Sequence, residues 1–195
     1  MTRGRWIALA SAVAVVGGLA AGLIELKPEL LGRRTGGPLA CELCSRTGTG
    51  LPAEVGQPVS MGPLSLRNNG HQTVTLERVE LLDVDPRLEV VGMLVVEPDG
   101  RNPLVGSGYG FPPREPGGTT RHVRAYSLEP ARSNADYVQI LIGLRLKSQG
   151  RAGARRIAVE YRADGVPYRA YFDHSMWLCT DRNDPERCID PEWLD

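Results

Sequence analysis

Between Tyr137 and Lys147 apolar and polar residues alternate with period two: Val138, Ile140, Ile142, Leu144 and Leu146 fall in one phase, Gln139, Gly143, Arg145 and Lys147 in the other. A pleated strand sends successive side chains to opposite faces, so this run fits a sheet with one buried face, whereas a helix would scatter the aliphatics around its circumference. The next segment fixes its own pairing. Asp164-Gly165 is a two-residue hairpin signal, because a type I′ turn needs positive φ at both central positions and these residues tolerate it. Pairing outward sets Tyr161 opposite Tyr168, Val159 opposite Ala170 and Ile157 opposite Phe172 on one face. The other face receives Glu160 opposite Arg169 and Arg156 opposite Asp173. A wrong register would not sort apolar and ionic partners so cleanly.

Upstream, residues 62–67 and 73–84 flank the turn signal Asn68-Asn69-Gly70, and residues 88–96 lead into Pro98-Asp99-Gly100. In residues 73–84 Val74 and Leu76 are in one phase and Val79 and Leu81 in the other, which predicts a bulge near Glu77-Arg78. Weaker strand patterns surround 105–111 and 121–128. Seven or eight strands joined by short turns, with no helical pattern between them, predict an all-β fold: an immunoglobulin-like antiparallel β-sandwich over residues 58–179.

The run Leu66-Arg67-Asn68-Asn69-Gly70-His71-Gln72-Thr73-Val74-Thr75-Leu76-Glu77, with Ile142-Gly143-Leu144-Arg145 and Ile157-Ala158-Val159-Glu160-Tyr161-Arg162, resembles the uncharacterised membrane-anchored immunoglobulin-like proteins of high-GC bacteria. The likeness implies a sandwich fold and an envelope location. It carries over no functional residue.

Residues 1–27 are of another kind. From Trp6 to Ile24 there are 19 residues without a charge, flanked by Arg3 and Arg5 and by Glu25 and Lys27. As a helix this run is roughly 28 Å long, close to the roughly 30 Å hydrocarbon thickness of a bilayer. Its strong aliphatics, Ile7, Leu9, Val13, Val15, Val16, Leu19, Leu23 and Ile24, with Trp6 at the edge, predict one N-terminal transmembrane helix whose partner is the lipid bilayer. A cleaved signal sequence is the rival, but the apolar run continues past the small pair Gly18 and Ala20. Ala14, Gly18 and Gly22 form a small-residue stripe of the kind that lets membrane helices approach closely, a spacing that an Ala/Gly-rich segment also produces by chance. Arg3 and Arg5 balance Lys27, Arg33 and Arg34, so basic residues do not set the orientation.

Residues 28–57 read as a Gly/Pro-rich linker without a core element, and they carry Cys41 and Cys44. Cys179 and Cys188 follow the last strand-like segment, the second of them inside an acidic tail over residues 180–195. Four cysteines bracketing a β-domain are read first as disulfides, which place that domain outside the cytoplasm on a single-pass cell-membrane protein. Sequence alone leaves three pairings open. Bridges from the linker to the tail would close a loop of more than a hundred residues, a constraint of about 4 to 5 kcal/mol in the chain-entropy model. A metal or redox module built on the same thiols is the alternative, although the second pair lacks the close spacing of a zinc knuckle.

No constellation in the sequence amounts to a catalytic or cofactor site. Arg and Lys number 23 against 23 acidic residues, so the whole molecule lacks the positive field that gathers nucleic acid. Ser107, in Gly106-Ser107-Gly108-Tyr109-Gly110, lacks the spacing of a nucleophile elbow, and the same glycines miss the dinucleotide-binding spacing. Asp181-Arg182-Asn183 opens like a calcium loop, but Pro185 takes the next ligand position. An enzyme would have to gather several of Asp173, His174, His122 and Glu160 into one cleft. The expectation is therefore a non-enzymatic envelope module, without cofactor, whose sandwich meets a protein partner.

Overall fold

A computed structural model of the chain describes residues 33–41, 44, 47–99, 106–133, 135–181 and 188. The described structure is all-β. The strands are β1 (Arg34–Thr35), β2 (Leu39–Cys41), β3 (Thr47–Pro52), β4 (Val59–Asn68), β5 (Val74–Leu82), β6 (Leu88–Pro98) and β7 (Gly108–Tyr109). They continue with β8 (Gly118–His122), β9 (Ser127–Leu128), β10 (Val138–Leu146), β11 (Arg151–Ala154), β12 (Arg156–Ala163), β13 (Val166–Phe172) and β14 (His174–Cys179). They form several sheets in a sandwich-like arrangement. The first has the order β1-β13-β12-β5-β9, the second β2-β4-β10-β6-β8 with β7 also on β4, and the third β11-β14-β3.

The core follows from the alternation. Val138, Ile140, Ile142, Leu144 and Leu146 of β10 meet Val59, Met61, Leu64 and Leu66 of β4, together with Leu76, Ile157, Val159 and Tyr161 of the first sheet, in one buried cluster. The hairpin register expected from Asp164-Gly165 is present: Tyr161 faces Tyr168, Val159 faces Ala170, Ile157 faces Phe172 and Glu160 faces Arg169. Asp164 and Gly165 both have positive φ, 51° and 71°. The expected Arg156–Asp173 pair is absent from this ladder, because β13 ends at Phe172; Arg156 instead donates to Asp83 Oδ2 from both Nε and Nη2. The bulge is also where the phase change places it, since Glu160 faces Arg78 while Tyr161 faces Leu76, leaving Glu77 unopposed.

Two expectations need correction. The first concerns β10, for which one buried face is expected but both faces are covered: Gln139 and Leu141 are as buried as the core phase. Gly143 and Gly92 face each other across β10 and β6, and the Phe111 ring lies on this pair. A Cβ on Gly143 would come within 2.4 Å of that ring, and one on Gly92 within 2.6 Å. The facing glycines are a flat pad for an aromatic ring, so their lack of side chains is a packing feature.

The second concerns residues 28–57. From Arg34 onward this stretch supplies β1, β2 and β3, and it buries Leu39 and Ala53. β1 runs parallel to β13, β2 antiparallel to β4, and β3 parallel to β14. Main-chain pairing at a sheet edge needs no apolar periodicity, which is why the Gly/Pro-rich composition hides these strands. At Gly36-Gly37 the chain lies on the stacked Tyr161 and Tyr168 rings, whose centroids are 5.3 Å apart, and the Tyr161 hydroxyl donates to Gly36 O at 2.7 Å. A Cβ at Gly37, where φ is 99°, would fall 2.5 Å from that hydroxyl.

The Asn68-Asn69-Gly70 turn carries the chain from the second sheet to the first. Asn68 is fully buried, and its Nδ2 donates to Gln72 O (2.8 Å) and Leu128 O (3.0 Å) while Oδ1 accepts from Gly70 N. Among the described residues no helix is long and apolar enough to cross a membrane. The span expected from Trp6 to Ile24, and most of residues 180–195, lie outside the described residues.

Candidate interaction face

Of the residues singled out from sequence, the cysteines are placed most definitely. Cys41 is bonded to Cys44 and Cys179 to Cys188, with Cα separations of 5.4 and 5.2 Å. The pairing is local and does not staple the linker to the tail. Loops this short are worth roughly 2 and just under 3 kcal/mol in the chain-entropy model, less than the long closure would give. The tie between the 47–53 stretch and the last strand comes instead from β3 on β14, prolonged by Ala53 N–H donating to Cys179 O at 2.8 Å.

The residues that an enzyme would have to gather are not brought together. His122 ends β8 on the second sheet and is exposed, and Glu160 lies in β12 of the first sheet. His174 opens β14 in the third, with exposed Asp173 just before it. His71 and Ser107 are exposed in loops. Among the described residues no group of three or more His, Cys, Asp or Glu side chains could hold a metal ion.

His174 is only 6% exposed, and its Nε2 lies 3.1 Å from Thr49 Oγ1 across the β3–β14 seam. Burial disfavours the imidazolium and holds its pKa below the ordinary value of 6.5. The unfolded chain therefore binds this proton more readily than the folded one. The stability His174 contributes is complete above pH 6.5 and declines as pH falls through that value towards the folded pKa. In urea unfolding measured from pH 7.5 to 5, His174→Gln is expected to flatten the acid-side decline; an unchanged slope would show that this imidazole does not contribute.

The most developed polar constellation covers the outer face of the first sheet, and the inward phase dictates it. With Ile157, Val159 and Tyr161 pointing into the core, Glu160 and Arg162 of β12 point out beside Arg169 and Tyr171 of β13 and Glu77, Arg78 and Glu80 of β5. Arg169 sits at the centre, its Nη1 donating to Glu160 Oε1 and its Nη2 to Glu80 Oε2, each at 3.0 Å. Its guanidinium carbon lies 5.5 Å from the centroid of the Tyr171 ring, which is 47% exposed. Arg162 pairs with Glu77 at 2.6 Å, and Arg78 shares Glu80 at 3.1 Å. The Arg169 and Glu160 side chains are only 16% and 9% exposed, so this pair is part of the packed structure.

At the β5 bulge the face dips into an open depression of about 580 Å³ lined by Thr75, Leu76, Glu77, Arg78, Arg124, Ala125 and Glu160. The turn from β8 to β9 forms one wall. Ala125 N–H donates to Leu76 O and Leu76 N–H to Tyr126 O, each at 2.8 Å, and Ala125 adopts a φ of 64°. Tyr126 fixes the turn from the other side by donating its hydroxyl to Glu97 Oε1 at 3.0 Å; burial, then that carboxylate, pushes the phenol pKa well up. Arg124 is left exposed at the rim, where Glu77 and Glu160 are already matched by Arg162 and Arg169. Sequence reasoning finds the Glu160–Arg169 pair from the hairpin register. It misses Arg124 and Glu80, whose places depend on how the β8–β9 turn and β5 dock.

No protein-family model matches the chain, and no curated protein matches it. Among solved structures, the Vibrio cholerae VesB protease is similar over 73% of this chain at 9% identity with a TM-score of 0.35; the chain spans 32% of that protein. The CooA pilin subunit from enterotoxigenic Escherichia coli is similar over 69% of this chain and 90% of the pilin, at 9% identity with a TM-score of 0.32. Likenesses at this level carry no argument about fold or function.

Proposed function

We propose that this chain is a membrane-tethered, extracytoplasmic protein-interaction module of the cell envelope, held to the bilayer by residues 6–24, with an immunoglobulin-like sandwich that docks a partner protein on the outer face of its first sheet. The immunoglobulin-like reading is supported by the strand orders β2-β4-β10-β6 and β1-β13-β12-β5, in which consecutive strands cross between sheets as Greek-key sandwiches do. The extracytoplasmic reading is supported by the two disulfides, which persist where oxidation is allowed.

The observation that carries the docking reading is the composition of that outer face. Arg and Tyr are over-represented among the anchors of protein interfaces, and here Arg78 and Arg124 line a depression while Tyr171 lies against Arg169 of the ionic network on the same outer face. Arg124 has no opposite charge assigned to it within this network, which suits a partner that presents a carboxylate. A photoreactive residue placed at Tyr171 or Arg124 of the full chain in native membranes is expected to crosslink one defined protein, and Arg124→Glu to suppress the Tyr171 adduct. The same probe at Tyr109, 55% exposed on β7 of the second sheet, should give none. Equal labelling at all three positions, or none at any, contradicts the docking face.

A further inference from the structure

We propose that β3 pairs edge to edge, antiparallel, with β3 of a second copy of this chain. Sheet edges expose unpaired main-chain groups, and proteins ordinarily blunt them with charge, shortness or proline. Most edges among the described residues are blunted in this way. β8 carries Arg121 and His122, β11 carries Arg151, and β1, β2, β7 and β9 are two or three residues long. β3, Thr47-Gly48-Thr49-Gly50-Leu51-Pro52, has six residues and no charge, and it ends the order of its sheet.

The direction of its main-chain groups follows from one hydrogen bond. Ala53 N–H donates to Cys179 O, so alternation along β3 turns the groups of Leu51 and Thr49 towards β14 and those of Gly48 and Gly50 outward. Pro52 also falls on the outward phase, where its missing N–H costs nothing. An antiparallel pairing centred on Thr49 sets Gly48 opposite Gly50 of the second copy and the reverse, and each such pair can exchange two N–H···O bonds.

Neutrality selects the occupant. Antiparallel pairing of two identical strands doubles whatever charge the edge carries, and at the β8, β11 or β1 edge it would bring the Arg side chains of both copies into one ladder. At β3 it opposes threonine with threonine and leaves the glycine positions without side-chain conflict. Two copies carried on one membrane would also meet at raised effective concentration.

Sedimentation of the full chain in detergent micelles tests this, beside Gly48→Lys, which puts charge on the edge, and Gly48→Pro, which removes an outward donor. The wild type is expected to self-associate reversibly, and either variant to weaken association by about tenfold or more. His122→Lys on the β8 edge should leave it unchanged. If the proline variant fails to fold, the lysine variant carries the result, because it keeps the main-chain donors. A monomer at every concentration overturns the proposal. So does association that both Gly48 variants leave intact, or saturable pairing of β3 with a strand of another protein only. This test is independent of the docking face, since Arg124 lies in the β8–β9 turn and Tyr171 on β13, neither of them in the sheet of β3.

Discussion

Replacing Ile142 by Ala is expected to destabilise the fold by about 4 kcal/mol, in the upper part of the range for buried aliphatic truncation. Ile142 is fully buried at the centre of β10, with Met61 of β4 on one side and Met93 of β6 on the other. Main-chain ladders hold both neighbouring strands in place, so the cavity cannot close by moving one of them. For a folded region of this size such a loss corresponds to roughly 12 °C in Tm. Val91, at the β6 bulge and 37% exposed, is the matched control; Val91→Ala should stay within about 0.5 kcal/mol. Urea unfolding of both variants checks the pair. Comparable losses at the two positions would mean that β10 does not run through the core.

Arg169→Leu should cost about 3 kcal/mol, because it removes the guanidinium that pairs with the buried Glu160 carboxylate. Glu160 is 7% exposed, and Arg169 bridges it to Glu80. Replacing both partners, Glu160→Leu with Arg169→Leu, should recover most of that loss, since a matched apolar pair carries no unpaired charge. The cycle built from the two single variants and the double variant then reads the coupling directly. Additive losses would show that the pair is solvated and does not organise this face.

The β10 strand, the Asp164-Gly165 hairpin and the β5 bulge are legible in the sequence for the same reason: each is a local pattern in which the phase of the side chains reports the geometry. The charged face is half legible. Glu160 and Arg169 follow from the hairpin, whereas Glu80, Arg78 and Arg124 come from β5 and from the β8–β9 turn, whose docking is not encoded in any local repeat. Phe111 is hidden in a similar way, because the Gly92–Gly143 pad that receives it forms only when β6 and β10 pair. The clearest failure is the stretch 34–52. Its strands are held by main-chain hydrogen bonds at sheet edges, and Gly36, Gly37, Gly48 and Gly50 look like linker residues although the chain there lies against Tyr161, Tyr168 and β14. Cysteine pairing was open in the sequence because it depends on which sulfurs the strands bring close.

That the Gly/Pro-rich stretch belongs to the sandwich is the claim on which the β3–β14 seam, the His174 environment and the proposed edge all rest. Hydrogen exchange of the full chain, resolved to single amides, tests it most directly. The Leu51, Ala53 and Ile142 amides should all exchange slowly, the first two because Ala53 N–H is bonded to Cys179 O and Leu51 faces Leu178 across the parallel ladder. Exchange across residues 47–56 at the rate of an unstructured chain, with β10 fully protected, would contradict it.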